Sequence, residues 1–583
     1  MIYIADFETR AGENAIEENE TYVWAWAICD IYDIDNVETG EDIESFFQYV
    51  NSLHDEDIIY FHNLKFDGRF IADYLLKNGY AVCHRAKSKK SFDTIIDENC
   101  LFYSMKIKLP SGKKIFIRDS AKKLPGRVED LQKAFETRYK KEEIEYEAER
   151  EKGHKLTEQE REYVKNDVRV VGECLASLYD EGLDGLTASS DALRCYIDMM
   201  GGERMFRSVF PELSEDEDNF VRKAYKGGWC YCARPGVYHE KGTTYDATSL
   251  YPSMMHSSSG NLFPYGKGVY YKGRYQEDPK YPLYVQHIRA SFILNDDMLP
   301  TVQVRNIIGI NPNEWLKSST VVNYDGSETF REVDLYLTNI DLEMFLEHYE
   351  MITEVQYIEG YKYKGAKGFF DKYINKWFKM KSENTGAKRS LAKLMLNSLS
   401  GKFGQKPEGV KKQCSLCGDV VLLKSMGNNK REGVYIPVAA FTTSYGRRFT
   451  IEAAQKNYEK FIYSDTDSLH TLSEAEGITV DKNKLCTWKI ETKWEYGIFR
   501  RQKTYIEIPE NATAVIADYI KCAGMPDKAK QIFCNRLARG IVILENFNVG
   551  LCIEGGKLMP RPAVGGVLLV EKKYTMKKTP LLL

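Results

Sequence analysis

Two aspartates separated by one residue lie between two β-prone segments late in the chain. The segment Phe461–Ser468 contains Asp465 and Asp467, and Leu469–Leu472 follows it directly. This pattern predicts a strand, a tight turn and a second strand, with both carboxylates at the tip. Carboxylates fixed at such a turn can hold a divalent cation over phosphates. The alternative is a solvated turn that takes no part in catalysis. Motifs elsewhere in the chain are needed to distinguish these two interpretations.

The length and charge of the chain limit its class. A chain of 583 residues is too long for one core, so we expect several subdomains. Met1–Asp6 has no basic flank or cleavage site, and no apolar run is long enough for a bilayer, so we expect a soluble intracellular monomer without a membrane partner. The net charge of −4 argues against a surface that coats nucleic acid, which restricts any DNA contact to a local groove.

The 13 cysteines are scattered and odd in number, which predicts free thiols and a reducing compartment. Cys414 and Cys417 form one close pair, and Cys230 and Cys232 form another. Neither has a convincing second pair, so the spacing disfavours a zinc site.

A first set of carboxylates begins at the amino terminus. Met1–Ala5 predicts a short strand, and Asp6 and Glu8 follow on one side of its continuation. A second apolar run, Ile58–Phe61, leads to Asp67 and is expected to bring this acid to another strand end.

A helix completes this set. Thr157 and Glu160 form a capping-box pattern, after which Tyr163 and Asp167 lie four residues apart on one helical face. Four carboxylates and a tyrosine suffice for two metal ions and a positioned water, an arrangement that hydrolyses phosphodiesters by in-line attack. The alternative is four acids on a sheet without chemistry.

The order and spacing of three motifs resemble the 3′→5′ proofreading exonuclease domain of DNA polymerases. The motifs are Asp-Phe-Glu-Thr, Asn-Leu-Lys-Phe-Asp and Tyr-x-x-x-Asp. The resemblance implies that Asp6, Glu8, Asp67 and Asp167 are metal ligands and that Tyr163 orients the attacking water. It also implies that Thr9, Asn63 and Phe66 contact a frayed 3′ end and that Lys141 assists the exonuclease.

A second set surrounds Asp246, which ends a β-prone run. After it, amide groups and Tyr251 could meet a triphosphate. Gly386–Gly404 predicts a helix with an apolar face, and another face carries Arg389, Lys393 and Asn397 at every fourth position. Such a stripe suits the charge that develops on a triphosphate leaving group. The alternative is a core helix with surface cations.

Further motifs occur in the order found in family B DNA polymerases. They are Asp-x-x-Ser-Leu-Tyr-Pro-Ser, Leu-Ala-Lys-Leu-Met-Leu-Asn-Ser-Leu, Thr-Ser-Tyr-Gly-Arg, Tyr-x-Asp-Thr-Asp-Ser and Arg-Gln-Lys-Thr-Tyr. Over essentially its whole length the chain resembles the protein-primed phage polymerases of the phi-29 type. Asp246 and Asp467 are then expected to hold the catalytic metals, with assistance from Asp465. The cofactor implied is Mg²⁺, two ions per active site, with Mn²⁺ as a possible substitute.

The resemblance also assigns contacts to the substrates. Incoming deoxynucleoside triphosphates are expected at Leu250, Tyr251, Lys381, Arg389, Lys393 and Asn397, with Tyr251 excluding a 2′-hydroxyl. Template-primer DNA is expected at Thr443 and Arg447, the primer end at Lys503 and Tyr505, and transfer between the two sites at Tyr225, Gly227 and Gly228.

The expected fold is an α+β multidomain protein, with a ribonuclease-H-like α/β exonuclease domain and a right-hand polymerase of palm, fingers and thumb with two family-specific insertions. The expected segments are exonuclease 1–189, palm 190–258 and 435–535, insertion 259–368 for terminal-protein docking, fingers 369–404, insertion 405–434 for strand displacement and processivity, and thumb 536–583.

The implied function is template-directed DNA synthesis with proofreading and strand displacement, primed by a terminal protein during viral DNA replication in the bacterial cytoplasm. A single-stranded DNA-binding protein is a further possible partner. Two alternatives stay open, an RNA-primed family B polymerase and an exonuclease with a non-catalytic DNA-binding scaffold.

Two positions depart from the family pattern. Ser400 stands where the family usually has a tyrosine that stacks near the nucleotide, which predicts weaker nucleotide binding or looser base selection. Arg389 replaces the more usual lysine and keeps the charge.

Overall fold

The computed structural model describes residues 1–142, 144–145, 148–303, 314–322, 325–430, 433–512 and 516–578. All 13 cysteines are free thiols, as the sequence predicted. No helix in these ranges is long and apolar enough to cross a bilayer.

The amino-terminal part of the chain is a mixed sheet flanked by helices. Its elements are β1 (Ile2–Thr9), α1 (Glu13–Glu18), β2 (Val23–Asp30), β3 (Asp33–Gly40), α2 (Ile43–Ser52), β4 (Ile58–Phe61), α3 (Asp67–Lys77), β5 (Ala81–Val82), β6 (Ser91–Ile96), β7 (Phe102–Lys108), β8 (Lys114–Asp119), α4 (Val128–Phe135) and α5 (Glu158–Asp180).

The middle of the chain alternates helices with short sheets. Its elements are α6 (Ala188–Met200), α7 (Glu203–Val209), α8 (Glu215–Ala224), β9 (Cys230–Cys232), β10 (Gly236–Tyr238), β11 (Gly242–Ala247), α9 (Leu250–Met255), β12 (Phe263–Lys272), β13 (Leu283–Ala290), β14 (Phe292–Leu294), β15 (Thr320–Val322), β16 (Glu328–Phe330), β17 (Val333–Thr338), α10 (Asn339–His348), β18 (Tyr349–Met351) and β19 (Gln356–Ala366).

The remaining elements complete the molecule. They are α11 (Asp371–Glu383), α12 (Gly386–Phe403), β20 (Glu408–Cys417), β21 (Val420–Lys430), α13 (Ile436–Lys456), β22 (Phe461–Asp465), β23 (Ser468–Leu472), β24 (Trp488–Arg501), β25 (Thr504–Pro509), α14 (Ile516–Tyr519), β26 (Ile520–Cys522), α15 (Asp527–Ala538), β27 (Cys552–Ala563) and β28 (Gly566–Thr575).

The amino-terminal sheet has the order β21-β20-β6-β7-β8-β4-β1-β2-β3, with β5 paired to β6. Strand β4 runs parallel to β1 and β8, so the ends of β1 and β4 reach the same edge. Helix α5 starts at the predicted Thr157–Glu160 capping box. Val168 and Val171 of this helix belong to one buried cluster with Ile4 of β1, which fixes the helix across the sheet.

A second sheet lies at the centre of the molecule and has the order β26-β25-β24-β11-β23-β22-β9, with β10 paired to β24. Strand β11 lies between β23 and β24 and is antiparallel to both. This order brings two strands far apart in sequence, one before residue 250 and one after residue 460, into direct hydrogen-bonded contact.

The described residues of both predicted insertions contain β structure. Those of 259–368 include the sheet β12-β19-β13-β17 and helix α10. Those of 405–434 include the antiparallel hairpin β20–β21. Lys412 of this hairpin pairs with Ile96 of β6, so the hairpin extends the amino-terminal sheet.

Two of the expected domain boundaries fall inside helices. The boundary between residues 189 and 190 lies within α6, and the boundary between 535 and 536 lies within α15. Thr187 and Ser190 form the capping box that starts α6.

A buried ion pair joins the amino-terminal part of the chain to α6. Lys123 donates to Asp191 at 2.5 Å and to the Gly185 carbonyl at 2.8 Å. The two charged side chains are 0% and 1% exposed. Arg194 adds a second bond to Asp191 at 2.9 Å. Because the charges are compensated, this pair can hold the junction without exposing either group.

Replacement of Lys123 by Met should therefore leave Asp191 buried with one cation fewer and lower the free energy of unfolding by about 3 kcal/mol. Thermal unfolding measures the effect. Lys155→Met is the matched control, because the Lys155 side chain is 84% exposed beside Glu41. Its unfolding temperature should stay near that of the wild type, and equal unfolding temperatures for the two variants would contradict the role of the buried pair.

Candidate active sites

The first candidate site lies where α5 crosses the end of β1. Asp6 and Glu8 are two residues apart on β1 and project from the same side of it, as predicted. Asp167 of α5 lies beside them. One carboxylate oxygen from each of these three residues lies within 4.8 Å of the other two. The sequence thus identified a true cluster from residues more than 150 positions apart.

Asp67 lies beside this cluster, although its local structure differs from the prediction. It is the first residue of α3 and is buried, whereas the sequence suggested a strand end. Burial raises the pKa of Asp67, and the charge of Asp6 raises this pKa further. The fourth carboxylate therefore interacts electrostatically with Asp6 and Glu8 from the start of a helix.

Burial and repulsion between the carboxylates raise the pKa values of this cluster. Burial, followed by the charge of Asp167, raises the pKa of Asp6 to about 7. Burial and the charges of Asp6 and Asp167 raise the pKa of Glu8 well above its usual range. A hydrogen bond from Tyr163 lowers the pKa of both Glu8 and Asp167.

Asp167 has one satisfied and one unsatisfied oxygen. Lys141 donates to its Oδ2 at 3.1 Å, which brings the predicted assisting lysine into the site. Its Oδ1 is buried and has no hydrogen-bond partner among the residues that the structure describes. A buried carboxylate oxygen without a partner beside two other acids fits a divalent cation, because hard cations prefer oxygen ligands.

A cavity of about 950 Å³ surrounds this cluster and is lined by Asp6, Glu8, Thr9, Asn63, Phe66 and Asp67. All three residues expected to hold a 3′ end are therefore at the cavity wall. The sequence did not identify Lys65 and Arg69 of the same wall, or Leu569 from β28. It also missed Asp119, whose carboxylate accepts the Asn63 N–H at 3.0 Å and fixes the left-handed backbone of Asn63 (φ 67°).

The second candidate site is built on the predicted strand-turn-strand, which the structure confirms as β22 and β23. Thr466 at the tip has φ 65°, and its N–H donates to the Trp229 carbonyl at 2.7 Å. Gly228 lies against this tip, where an added Cβ would come within 2.3 Å of the Thr466 side chain. A glycine is therefore required for this close approach.

Sheet register brings the second acid to the same place. Asp246 of β11 pairs with Ser468 of β23, and the Ala247 N–H donates to the Asp467 carbonyl at 2.7 Å. Asp246 and Asp467 both line one cavity of about 820 Å³. Burial, followed by the charge of Asp246, raises the pKa of Asp467 to about 6.

Two lysines form ion pairs with the carboxylates of Asp465 and Asp246. Lys503 donates to Asp465 at 2.7 Å, and Lys489 lies 2.7 Å from an oxygen of Asp246. The position of Asp465 beside Lys503 distinguishes it from Asp467. This difference agrees with the expectation that Asp246 and Asp467 act together and Asp465 assists.

Part of the lining of this cavity is cationic. Arg389, Lys393 and Asn397 of α12 all line it, as their spacing predicted, and Lys381 of α11 joins them. Lys381 donates to the Ser249 hydroxyl at 2.7 Å. Burial and the charges of Lys489, Arg389 and Lys393 lower the pKa of Lys381 to about 8. An anion bound here would relieve this repulsion among cations.

The floor of the cavity holds the expected nucleotide contacts. Leu250, Tyr251 and Ser400 line it. Tyr251 packs near Gly446, where an added Cβ would lie 3.1 Å from the ring. The Ser400 hydroxyl donates to the Asn397 carbonyl at 3.1 Å, so this departure from the family pattern lies inside the cavity.

The residues expected to contact DNA divide into two groups. Tyr225, Gly227 and Thr443 line the cavity, Gly228 lies beneath Thr466, and the Tyr505 ring lies 5.2 Å from that of Tyr463. Arg447 is 1% exposed, however. Its guanidinium donates to Asp341 at 3.0 and 2.7 Å and to the Gly227 carbonyl at 2.7 Å. The structure therefore buries Arg447 against Asp341 and the Gly227 carbonyl, whereas the sequence suggested a direct contact with template-primer DNA.

Sequence reasoning missed three further residues of this site. Lys482, Lys489 and Glu491 line the cavity from the segment around β24. Lys489 and Glu491 are two residues apart after Trp488, and this alternation on a strand was an available signal.

Comparison with known proteins agrees with this geometry. The model of the family "DNA polymerase type B, organellar and viral" matches residues 49–152 and 139–483. The DNA polymerase of Bacillus phage M2 is 37% identical over 607 residues, and that of Bacillus phage phi29 is 36% identical over 603 residues; each match covers 99% of both chains. The DNA polymerase of Streptococcus phage Cp-1 is 31% identical over 608 residues, also with 99% coverage of both.

Solved structures agree as well. Phi29 DNA polymerase in complex with primer-template DNA and incoming nucleotide matches with a TM-score of 0.86 and 35% identity, and the match covers 99% of this chain and 100% of the other. The complex of phi29 DNA polymerase with single-stranded DNA also has a TM-score of 0.86, with 34% identity. The chain therefore belongs to the type B DNA polymerases of organelles and viruses, in the group of the phi29-like phage enzymes.

Proposed function

We propose that the second site extends a DNA 3′ end by two-metal nucleotidyl transfer and that the first site removes mismatched nucleotides by 3′→5′ hydrolysis. The observation that carries this proposal is that Asp246, paired with the Asp467 hairpin, lines the same cavity as the cationic face of α12. Acids and cations that line one cavity suit a metal-bound triphosphate.

In the polymerising site, Asp246 and Asp467 would hold the divalent ions. Two ions, Mg²⁺ by expectation and Mn²⁺ as a substitute, would supply Lewis acidity and charge neutralisation when bound. Arg389 and Lys393 grip the triphosphate from α12, and the Tyr251 ring excludes a 2′-hydroxyl. Lys503 holds the primer end beside Asp465.

In the editing site, Asp6, Glu8, Asp67 and Asp167 would hold two divalent ions. Tyr163 and Lys141 orient the attacking water, because both already hydrogen-bond to the carboxylate cluster. Thr9, Asn63 and Phe66 hold the 3′ end at the wall of the same cavity.

Strand displacement is proposed for the β20–β21 hairpin. Val564 in the β27–β28 turn forms bridges with both Val420 of this hairpin and Glu20 of the amino-terminal part. Three segments distant in sequence thus meet at one residue beside the amino-terminal sheet. The hairpin, held in this way, can separate a downstream duplex and retain the template.

Priming by a terminal protein is proposed for residues 259–368, whose described part contains a four-stranded sheet separate from the central sheet. A protein hydroxyl then supplies the first priming oxygen. Transfer of a labelled deoxynucleotide to the cognate terminal protein tests this proposal, and dependence on an RNA primer instead would contradict it. We place the enzyme in the cytoplasm of the bacterial host, with a single-stranded DNA-binding protein as a further partner.

The two activities should be separable. Asp465→Ala with Asp467→Ala should reduce primer extension by roughly a thousandfold or more and spare degradation of single strands, since this change affects only the second carboxylate set. Asp6→Ala with Glu8→Ala should have the reverse effect. Gel assays with Mg²⁺ measure both activities, and joint loss of both in either variant would contradict the two-site proposal.

The metal-free protein should lose stability as the first site ionises. Because the folded pKa of Asp6 is about 7, above its ordinary value, the stabilisation from its protonated form is present at pH 4 and lost as the pH rises through 7. Asp6→Asn should therefore raise the free energy of unfolding in EDTA by on the order of 1–2 kcal/mol at pH 8 and change it little near pH 4.

Thermal unfolding at pH 4, 6 and 8 measures this dependence. Asp296→Asn is the control, because Asp296 is exposed and should change stability little at any pH. An Asp6→Asn protein no more stable than the wild type at pH 8 would show that the cluster carries no repulsion.

Replacement of residues 408–430 by a short glycine linker should reduce extension through duplex DNA and the length of product per binding event. Extension on short single-stranded templates should persist, because the linker leaves the central sheet and α12 unchanged. Rolling-circle synthesis and primer extension measure the two properties. Unchanged synthesis through duplex DNA would exclude the proposed role of the hairpin.

A further inference from the structure

Lys489 lies opposite Asp246 in the central sheet. The two residues are direct partners on the antiparallel strands β24 and β11, so their side chains project from the same face. Lys489 Nζ lies 2.7 Å from Asp246 Oδ2, and the side chains are 42% and 23% exposed. A partly exposed ammonium thus lies against the oxygen that the proposed function assigns to a divalent cation.

The same lysine also faces the cationic wall of the cavity. Lys489, Lys381, Arg389 and Lys393 all line it. Among these cations, Lys489 has the largest effect on the pKa of Lys381, which its charge lowers. Its ammonium is therefore close both to a carboxylate and to the region that suits a triphosphate.

We propose that Lys489 is a tethered counter-ion that neutralises Asp246 in the nucleotide-free enzyme and moves to the triphosphate of the incoming nucleotide when a divalent cation binds Asp246. This inference rests on the proposed polymerising site. Three properties of the residue carry it: its register opposite Asp246, its partial exposure and its place in the cavity.

Charge balance explains why the lysine has to move. A divalent cation and an ammonium on the same carboxylate oxygen repel each other, and the flexible four-carbon stem of lysine allows the ammonium to leave. Asp467 and Glu491 are the other anions that line the cavity in the described part of the chain. Asp467 is itself a proposed ligand, so the triphosphate is the strongest anion that the nucleotide-bound cavity offers to Lys489.

The proposal predicts opposite effects on two bound species. Without the Lys489 ammonium the metal has no competitor, so it should bind more tightly, by about two- to fivefold for an ion pair of this exposure. The nucleotide loses one charged contact, so its KM should rise roughly tenfold. A residue that only supports the fold would weaken both.

The test uses Lys489→Met in the full-length Asp6→Ala, Glu8→Ala background, where the first site is disabled. Mn²⁺ binding without DNA, followed by electron paramagnetic resonance of the free ion, reports the metal. Primer extension at saturating Mg²⁺ reports the KM of the nucleotide. We expect a lower Mn²⁺ Kd, a higher nucleotide KM and a nearly unchanged kcat.

Two further variants serve as controls. Lys493→Met removes a lysine of the same strand that pairs with Glu474 at 2.8 Å outside the cavity, and both constants should match the wild type. Lys489→Arg keeps the charge and should keep both constants near the wild type.

Unchanged constants in Lys489→Met, or weaker binding of both metal and nucleotide, would overturn the role of Lys489. Absence of Mn²⁺ binding and primer extension in the parent background, with Lys489 present, would overturn the proposed polymerising site and this inference with it. The parent protein thus separates the two failures.

Discussion

Repulsion between carboxylates held close together is the interaction on which both sites depend. Asp6, Glu8 and Asp167 place oxygens within 4.8 Å of one another, where two full charges repel by about 3 kcal/mol at an effective dielectric constant near 20. Burial adds to this cost and raises the pKa values of Asp6 and Asp467. The rest of the fold has to hold these acids in place while leaving room for cations to neutralise them.

The scaffold meets this requirement with rigid partners behind each site. Behind the second site, the Ser468 hydroxyl accepts the Asp465 N–H at 2.9 Å, and His470 bonds to Ser468 at 2.9 Å and to Glu507 at 2.7 Å. Because His470 is fully buried, this network fixes the turn from within the sheet. In front, lysines supply the charge, with Lys141 beside Asp167, Lys503 beside Asp465 and Lys489 beside Asp246.

Local patterns in the sequence predicted much of this arrangement. The alternation of Asp6 and Glu8, the Thr157 capping box and the four-residue spacing of Arg389, Lys393 and Asn397 all follow from strand or helix periodicity, and the structure has each of them. Periodicity determines from which side of a strand or helix a side chain projects. The three predictions that depend on one element alone are therefore confirmed.

Features that depend on tertiary contacts were not predictable in the same way. The pairing of Lys489 with Asp246 requires the register between β24 and β11, which the sequence does not state. The burial of Arg447 requires Asp341 from α10, and the hairpin β20–β21 joins the amino-terminal sheet through one pair of residues, Lys412 and Ile96. In each case, the two contacting residues are distant in sequence, and at least one of them belongs to no recognisable motif.

Two separate groups of carboxylates are, on this proposal, cation sites whose charges lysines neutralise in the absence of metal. Anomalous diffraction from crystals soaked in Mn²⁺ with an incoming nucleotide tests this most directly. We predict one density beside Asp246 and Asp467, another among Asp6, Glu8 and Asp167, and Lys489 displaced from Asp246 toward the triphosphate. Absence of density at either group, with Lys489 still 2.7 Å from Asp246, would contradict the proposal.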